Sequence, residues 1–198
     1  PDSGVAAVVR RSQGASLMRV GNRYNEGVIG QERNRLEALL KASGYYDFRQ
    51  AYITLEADTS YRAFTVRLRT LIADPGPGLQ HRVYSLRRVG RSLRAATGDT
   101  LRRAGTGQPD RPLLGLRPDT TVVDSVHFAA YRQRYSTQLL AGKMALRPGQ
   151  LYNLPRTQLT QRQFADLDMF RFNPVSYRKV DDPADSTAAT GLLDATVT

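Results

Sequence analysis

The sequence predicts an α+β fold written twice: two tandem β-α-α-β-β units, each a small sheet covered on one face by two helices. Three observations carry this. A phrase recurs at one constant offset: MRVGNRYN (18–25) and LRPGQLYN (146–153) share Arg19, Gly21, Tyr24 and Asn25 with Arg147, Gly149, Tyr152 and Asn153 in the same frame. Around each copy the hydrophobic period switches from helical to alternating in the same order, the mark of a repeated domain. Finally, 198 residues with 40% hydrophobic and 24% charged side chains suit one large or two small globular domains.

The elements follow in order. VAAVV (5–9) is a short apolar run that reads as a strand, and a short helix is expected around Ala15 to Arg19. Asn25 stands where an N-cap belongs, and the helix after it places Ile29, Leu36, Leu39 and Leu40 on one face. Arg33, Arg35, Glu37 and Lys41 lie mostly off that face, and Gly44 is a suitable stop. Alternation then begins: Ile53, Leu55 and Ala57 share one face of AYITLEA, and Phe64, Val66 and Leu68 share one face of FTVRLRTL. Joined by the polar turn DTSYR, these read as a hairpin with one buried and one wet face.

ADPGPGLQ (73–80) is the clearest linker, which sets the expected domains at 1–79 and 80–198. HRVYSLRRV opens the second unit as a strand. Residues 91–120 lose periodicity and carry Gly98, Gly105, Gly107 and Gly115 with prolines 109, 112 and 118; they read as a loop insertion. TVVDSVHFAAY reads as one strand and YSTQLLAGKMAL as a short helix. Asn153 again precedes a helix, with Pro155 in its permitted first turn and Thr160, Phe164 and Leu167 at helical spacing. RFNPVSYRKV is a strand whose proline favours an edge, and GLLDATVT a closing strand with Leu193, Ala195 and Val197 on one face. A strand at the very end suggests a piece of something longer.

Catalytic constellations do not emerge. The two histidines, His81 and His127, sit in separate strands without acidic or histidine neighbours at metal spacing, and there is no cysteine. No phosphate-binding glycine loop and no nucleophile-elbow motif is written in the chain. Asp166 and Asp168 point to different sides of a helix, Asp181 and Asp182 belong to a turn, and Asp47, Glu56 and Asp58 flank one hairpin strand; solvation suffices for all. No apolar run approaches the roughly 20 residues of a membrane-spanning helix. Neither an enzyme nor a cofactor is expected.

The net charge of +11 attracts anions, and Tyr45, Tyr46 and Phe48 offer rings for base stacking. Almost all the positive charge is arginine, which a GC-rich genome supplies without selection for binding, and the rings adjoin a predicted core. A basic nucleic-acid-binding module is therefore the second reading. The first is a module that binds polypeptide. A small sheet covered on one face leaves edge strands, and an edge accepts an added strand through backbone hydrogen bonds. Two edges are expected: 51–57, with Ala51, Tyr52, Ile53, Thr54, Leu55 and Glu56, and 172–178, with Phe172, Asn173, Val175, Ser176 and Tyr177 beside Pro174.

GNRYNEGVIGQERNRLEALLKASGYYDFRQAYITLEADTSYRAFTVRLRTLI and KMALRPGQLYNLPRTQLTQRQFADLDMFRFNPVSYRKV resemble POTRA domains of the BamA/TamA superfamily of outer-membrane assembly proteins. LLKASGYYDF, ITLEADT and LRPGQLYN look most like the TamA-like (TamL) members of Bacteroidota. The resemblance spans roughly residues 5–90 and 120–198 and leaves the insertion unmatched. It implies a three-stranded mixed sheet in each unit and a periplasmic location. It also implies attachment to the outer membrane through a C-terminal β-barrel that these residues do not include. The implied partners are unfolded outer-membrane clients and periplasmic assembly proteins; neither nucleic acid nor catalysis is expected. The family's docking edge is the second strand of each domain, here 51–57 and 172–178.

Overall fold

A computed structural model describes residues 2–60, 62–92, 100–101, 111–112, 118–130, 136–167, 174–180 and 190–198. The chain divides into two compact units. The first comprises Pro1–Ser85, Leu151–Leu154 and Asp181–Gly191; the second comprises Leu86–Gln150, Pro155–Val180 and Leu192–Thr198.

The first unit opens with α1 (Ser3–Arg11), not with the strand that VAAVV suggests. Val5, Val8 and Val9 fall at helical spacing, and all three pack into the core. Asp2 supplies the start: its Oδ1 accepts from the N–H groups of Gly4 (2.9 Å) and Val5 (3.3 Å). Arg10 and Arg11 complement the dipole at the other end. A cap, a helical stripe and burial together outweigh the β-propensity of valine. The expected helix at 15–19 is a single 3₁₀ turn, Gln13–Ala15, followed by irregular chain.

Helix α2 (Glu26–Ala42) starts where the sequence places it, with the Asn25 side chain accepting from Gly27 and Val28. Gly44 ends it at φ +104°, as its stop role requires. Leu36 and Leu40 are buried with Val5, Tyr45, Phe48 and Ile53 in one core. Glu32 is buried as well, because every oxygen is engaged. It accepts from Arg35 Nε (2.8 Å) and Nη2 (2.7 Å), Leu17 N–H (2.9 Å) and Ser16 Oγ (3.0 Å), and so pins the 16–18 loop to the helix. Burial pushes this carboxyl upward, but the hydrogen bonds from Arg35, Leu17 and Ser16 and the charge of Arg35 outweigh it, so it titrates below its ordinary 4.5. A folded-state pKa below the unfolded one gives stability that is complete above the unfolded value and is lost as pH falls through the folded value. Glu32→Gln, neutral at every pH, is therefore expected to cost stability near neutrality and to narrow the gap to wild type progressively as pH falls below the ordinary carboxyl value. Urea unfolding at a series of pH values measures this; a gap that does not narrow in acid contradicts it.

Strands β1 (Ile53–Asp58) and β2 (Arg67–Ile72) pair antiparallel as a two-stranded sheet. The register sets Ile53 opposite Ile72 and Leu55 opposite Thr70 on the helix side. On the other side Glu56 faces Arg69 and Asp58 faces Arg67. The second strand begins later than the alternation predicts: Phe64 takes φ +58° and is fully exposed in the connection.

In the second unit β3 (Val83–Ser92) enters the sheet. Within the insertion β4 (Thr100–Leu101) and β5 (Arg111–Pro112) pair antiparallel. TVVDSVHFAAY is not one strand but a hairpin, β6 (Asp119–Val123) and β7 (Val126–Ala130). It turns at Asp124 (φ 51°) and Ser125 (φ 64°), two successive left-handed residues of the kind that match hairpin twist. Helices α3 (Thr137–Lys143) and α4 (Leu154–Ala165) follow, then β8 (Val175–Val180) and β9 (Thr190–Val197). The sheet order is β6-β7-β3-β9-β8, with β7 parallel to β3 and the two hairpins antiparallel. Phe164 of α4 is fully buried, under the Arg91 guanidinium at 4.6 Å from its ring centroid.

The architecture is thus the α+β one predicted, with helices preceding a closing hairpin in each unit. Strand numbers differ from three: two in the first sheet, where 5–9 is helical and supplies no opening strand, and five in the second, where TVVDSVHFAAY folds as the β6–β7 hairpin beside β3. The repeated phrase forms the same turn twice, with Gly21 at φ +89° and Gly149 at φ +80°. Its environment differs. Tyr152 is buried and meets Tyr46 edge-on at 5.1 Å, whereas Tyr24 is half exposed and anchors nothing comparable.

Candidate functional site

Both expected edges lie on strands with one neighbour. Among the described residues β1 pairs with β2 alone, and β8 pairs with β9 alone. On β1, Thr54, Glu56 and Asp58 are exposed, Leu55 is half-buried and Ile53 is in the core. Ala51 and Tyr52 stand outside the strand, in a 3₁₀ turn (Gln50–Tyr52). The Tyr52 ring is held between those of Phe48 (5.7 Å) and His81 (4.9 Å), an aromatic cluster that tethers the entry to the strand. Sequence alternation does not separate such a turn from a strand end, since both leave every second residue inward.

On β8, Ser176 and Arg178 are exposed, and Ser176 Oγ donates to Thr196 O at 3.2 Å. Tyr177 points to the helix side, its hydroxyl 2.5 Å from Thr157 Oγ1 of α4, so it anchors the edge and offers little of itself to a partner. Val175 pairs with Val197 at the sheet's end. Pro174 directly precedes the strand; Phe172 and Asn173 lie outside the described residues.

Next to β8, the open face of the sheet carries an ion cluster that sequence reading missed. Asp194 on β9 accepts from Arg87 Nε (3.0 Å) and Nη2 (2.7 Å) and from Arg178 Nη2 (3.1 Å). The Arg87 hydrogen bonds hold its carboxyl below its ordinary value against the opposing effect of burial, and Arg178 adds to the lowering. A groove beside it is lined by Arg88, Gly90, His127, Ser176 and Thr196. The three strands were readable; that they lie side by side, with the last one central, was not.

The remaining candidates resolve as structure. His81 is buried, its backbone N–H donating to Asp2 Oδ2 (2.9 Å) and its Nε2 3.0 Å from Ala73 O. His127 is exposed on β7, and no cluster of three potential metal ligands occurs among the described residues. Asp47 accepts from the Tyr84 hydroxyl at 2.6 Å. Tyr45 and Phe48, two of the rings that base stacking would require, are in the core. No described helix is long and apolar enough to cross a membrane.

No family model and no curated protein matches the sequence. Solved structures do match in fold. One is the crystal structure of POTRA domains 3–5 of BamA from Haemophilus influenzae, at 11% identity and a TM-score of 0.52, covering 98% of this chain and 57% of that one. Another is BamA from Haemophilus ducreyi lacking POTRA domains 1–3, at 10% identity and a TM-score of 0.53, covering 100% of this chain and 26% of that one. The chain spans little over half of the first and about a quarter of the second. At such identities the likeness is one of fold: the helix pairs and sheets are arranged as in POTRA domains.

Proposed function

We propose that the chain is a periplasmic POTRA module of an outer-membrane protein assembly or translocation factor, and that it holds extended polypeptide, client or partner, by adding a strand to its sheet edges. The observation that carries this is the one-sided pairing of β1 and β8 in a fold shared with POTRA domains. An unfolded client presents free backbone, and an edge pairs with backbone without reading much sequence. Short edges of about 6 residues keep such pairing weak enough for release.

Within this reading the two modules run over 1–79 and 80–198. The TamA-like members are the proposed affiliation, on LLKASGYYDF, ITLEADT and LRPGQLYN, and attachment to the outer membrane comes from a β-barrel elsewhere in the protein. The cations of β8 (Arg178, Lys179) and the net charge of +11 favour strands with acidic residues.

Ala57→Pro tests the first edge. The Ala73 N–H donates to Tyr52 O, so the hydrogen-bonded pairs of the hairpin are 54/71, 56/69 and 58/67 and the N–H of Ala57 faces away from β2; proline there removes an outward donor. A labelled heptapeptide of alternating valine and lysine, complementary to Glu56 and Asp58, is expected to bind the variant about tenfold more weakly, the loss of one or two hydrogen bonds at ~0.5–1.5 kcal/mol each. Unchanged affinity, with circular dichroism unaltered, removes β1 as the docking edge.

A further inference from the structure

The second sheet has another edge, built by the β6–β7 hairpin that follows the insertion. Strand β7 lies parallel to β3, from Val89 opposite Val126 to Ser92 opposite Ala129. Gly90 permits the approach: a Cβ there would stand 2.9 Å from the His127 carbonyl oxygen. The hairpin is thus integrated into the sheet, and among the described residues β6, paired with β7, is the outermost strand on this side.

The edges differ in how they are guarded. Natural edges are blunted by proline, lysine and other charges that discourage pairing. β8 follows Pro174 and carries Arg178 and Lys179; β1 carries Glu56 and Asp58. β6 reads Asp119, Thr120, Thr121, Val122, Val123. Beyond its first residue it is uncharged and wholly β-branched, the composition most at home in a sheet. Val122 is 55% exposed on the open face, opposite His127. On the covered face α3 packs on β6, and its Leu139 is 47% exposed. Apolar surface is therefore left uncovered on both sides of an unguarded edge.

We infer that β6 is a third docking edge, and that its occupant is an extended, uncharged segment rich in β-branched residues from another polypeptide. The match is one of chemistry. Cross-strand pairs of β-branched residues stabilise a sheet, and a strand without charges avoids the cost of desolvating a charge beside Thr120 and Val122. The molecule already holds one example of the event, since β7 itself is added to the edge of β3. The inference rests on the strand-addition reading above but places uncharged segments at a different edge from acidic ones.

The test uses the double variant T120K/V122K, which adds edge charges at two exposed positions without altering the backbone, and Ala57→Pro on β1 as the comparison. The probe is a labelled peptide of alternating valine and threonine with a glutamate at each end, measured by fluorescence anisotropy. T120K/V122K is expected to bind it at least about tenfold more weakly than wild type, a larger loss than Ala57→Pro shows, with circular dichroism unchanged. No binding by wild type, or equal binding by T120K/V122K, overturns the inference. Loss in Ala57→Pro alone assigns the peptide to β1 and also overturns it, while leaving the general reading in place. Sedimentation showing a dimer of this chain that T120K/V122K dissociates, with no peptide bound, overturns it in favour of self-pairing.

Discussion

Replacing Phe164 with alanine is expected to destabilise the second unit by about 3–5 kcal/mol, the usual cost of emptying a buried phenylalanine site. The ring is fully buried on α4, and the Arg91 guanidinium, itself almost without exposure, rests on its face at 4.6 Å. Truncation removes dispersion contacts on one side and a cation–π contact of roughly 0.5–2 kcal/mol on the other. It also leaves a buried cation above a cavity. Phe164→Leu keeps most of the volume and should lose clearly less. Guanidinium unfolding of the three proteins, followed by far-ultraviolet circular dichroism, measures the difference; equal midpoints for Ala and wild type would show that the site collapses without strain.

Gly90→Val has the second large effect, and it reaches a distant strand. The added Cβ meets a backbone carbonyl, that of His127, which cannot swing aside as a side-chain tip can. Overpacking of this kind costs about 1–3 kcal/mol. Here the strain falls on the β3–β7 pairing, so the outcome expected is release of the β6–β7 hairpin from the sheet. Hydrogen exchange at the amides of 126–130 should accelerate by about tenfold or more, an opening free energy lowered by over 1.4 kcal/mol. Gly142→Ala is the control: nothing lies within 4 Å of its Cβ position in α3, and alanine there should be neutral or slightly stabilising. Exchange that stays slow in Gly90→Val would mean the two strands separate far enough to admit the side chain.

Much of this fold is written locally. Asn25 announces α2, Gly44 ends it, and the alternation from Ile53 onward yields a hairpin with the right faces. The helices after Ser136 and Asn153 and the closing strand stand where period and punctuation put them. Misreadings arose where two signals compete. VAAVV is both a β-type run and a helical stripe, and Asp2 decides between them by capping. Asp124 and Ser125 turn the chain without glycine or asparagine, so the hairpin passed as one strand. Nothing in the sequence marks Glu32 for burial, since a carboxylate is rarely buried, yet the four hydrogen bonds it accepts make burial tolerable. That β1 and β8 are edge strands was legible from alternation and from Pro174. The edge on β6 was not, because TVVDSVHFAAY hides its turn at Asp124 and Ser125 and reads as one strand.

The place of β9 has a kinetic consequence. It is the last strand of the order β6-β7-β3-β9-β8 to be synthesised, yet it occupies an interior position, flanked by β3 and β8. Before it arrives, β3 lacks one neighbour and β8 has none, so the part of the sheet formed by β6, β7 and β3 cannot reach β8. Closure waits for contacts of very long sequence separation, the circumstance that slows folding most. While it waits, β3 and β8 expose unpaired backbone of the kind the finished module is proposed to capture in others. A chain emerging stepwise would thus be, for a time, a substrate for its own trade.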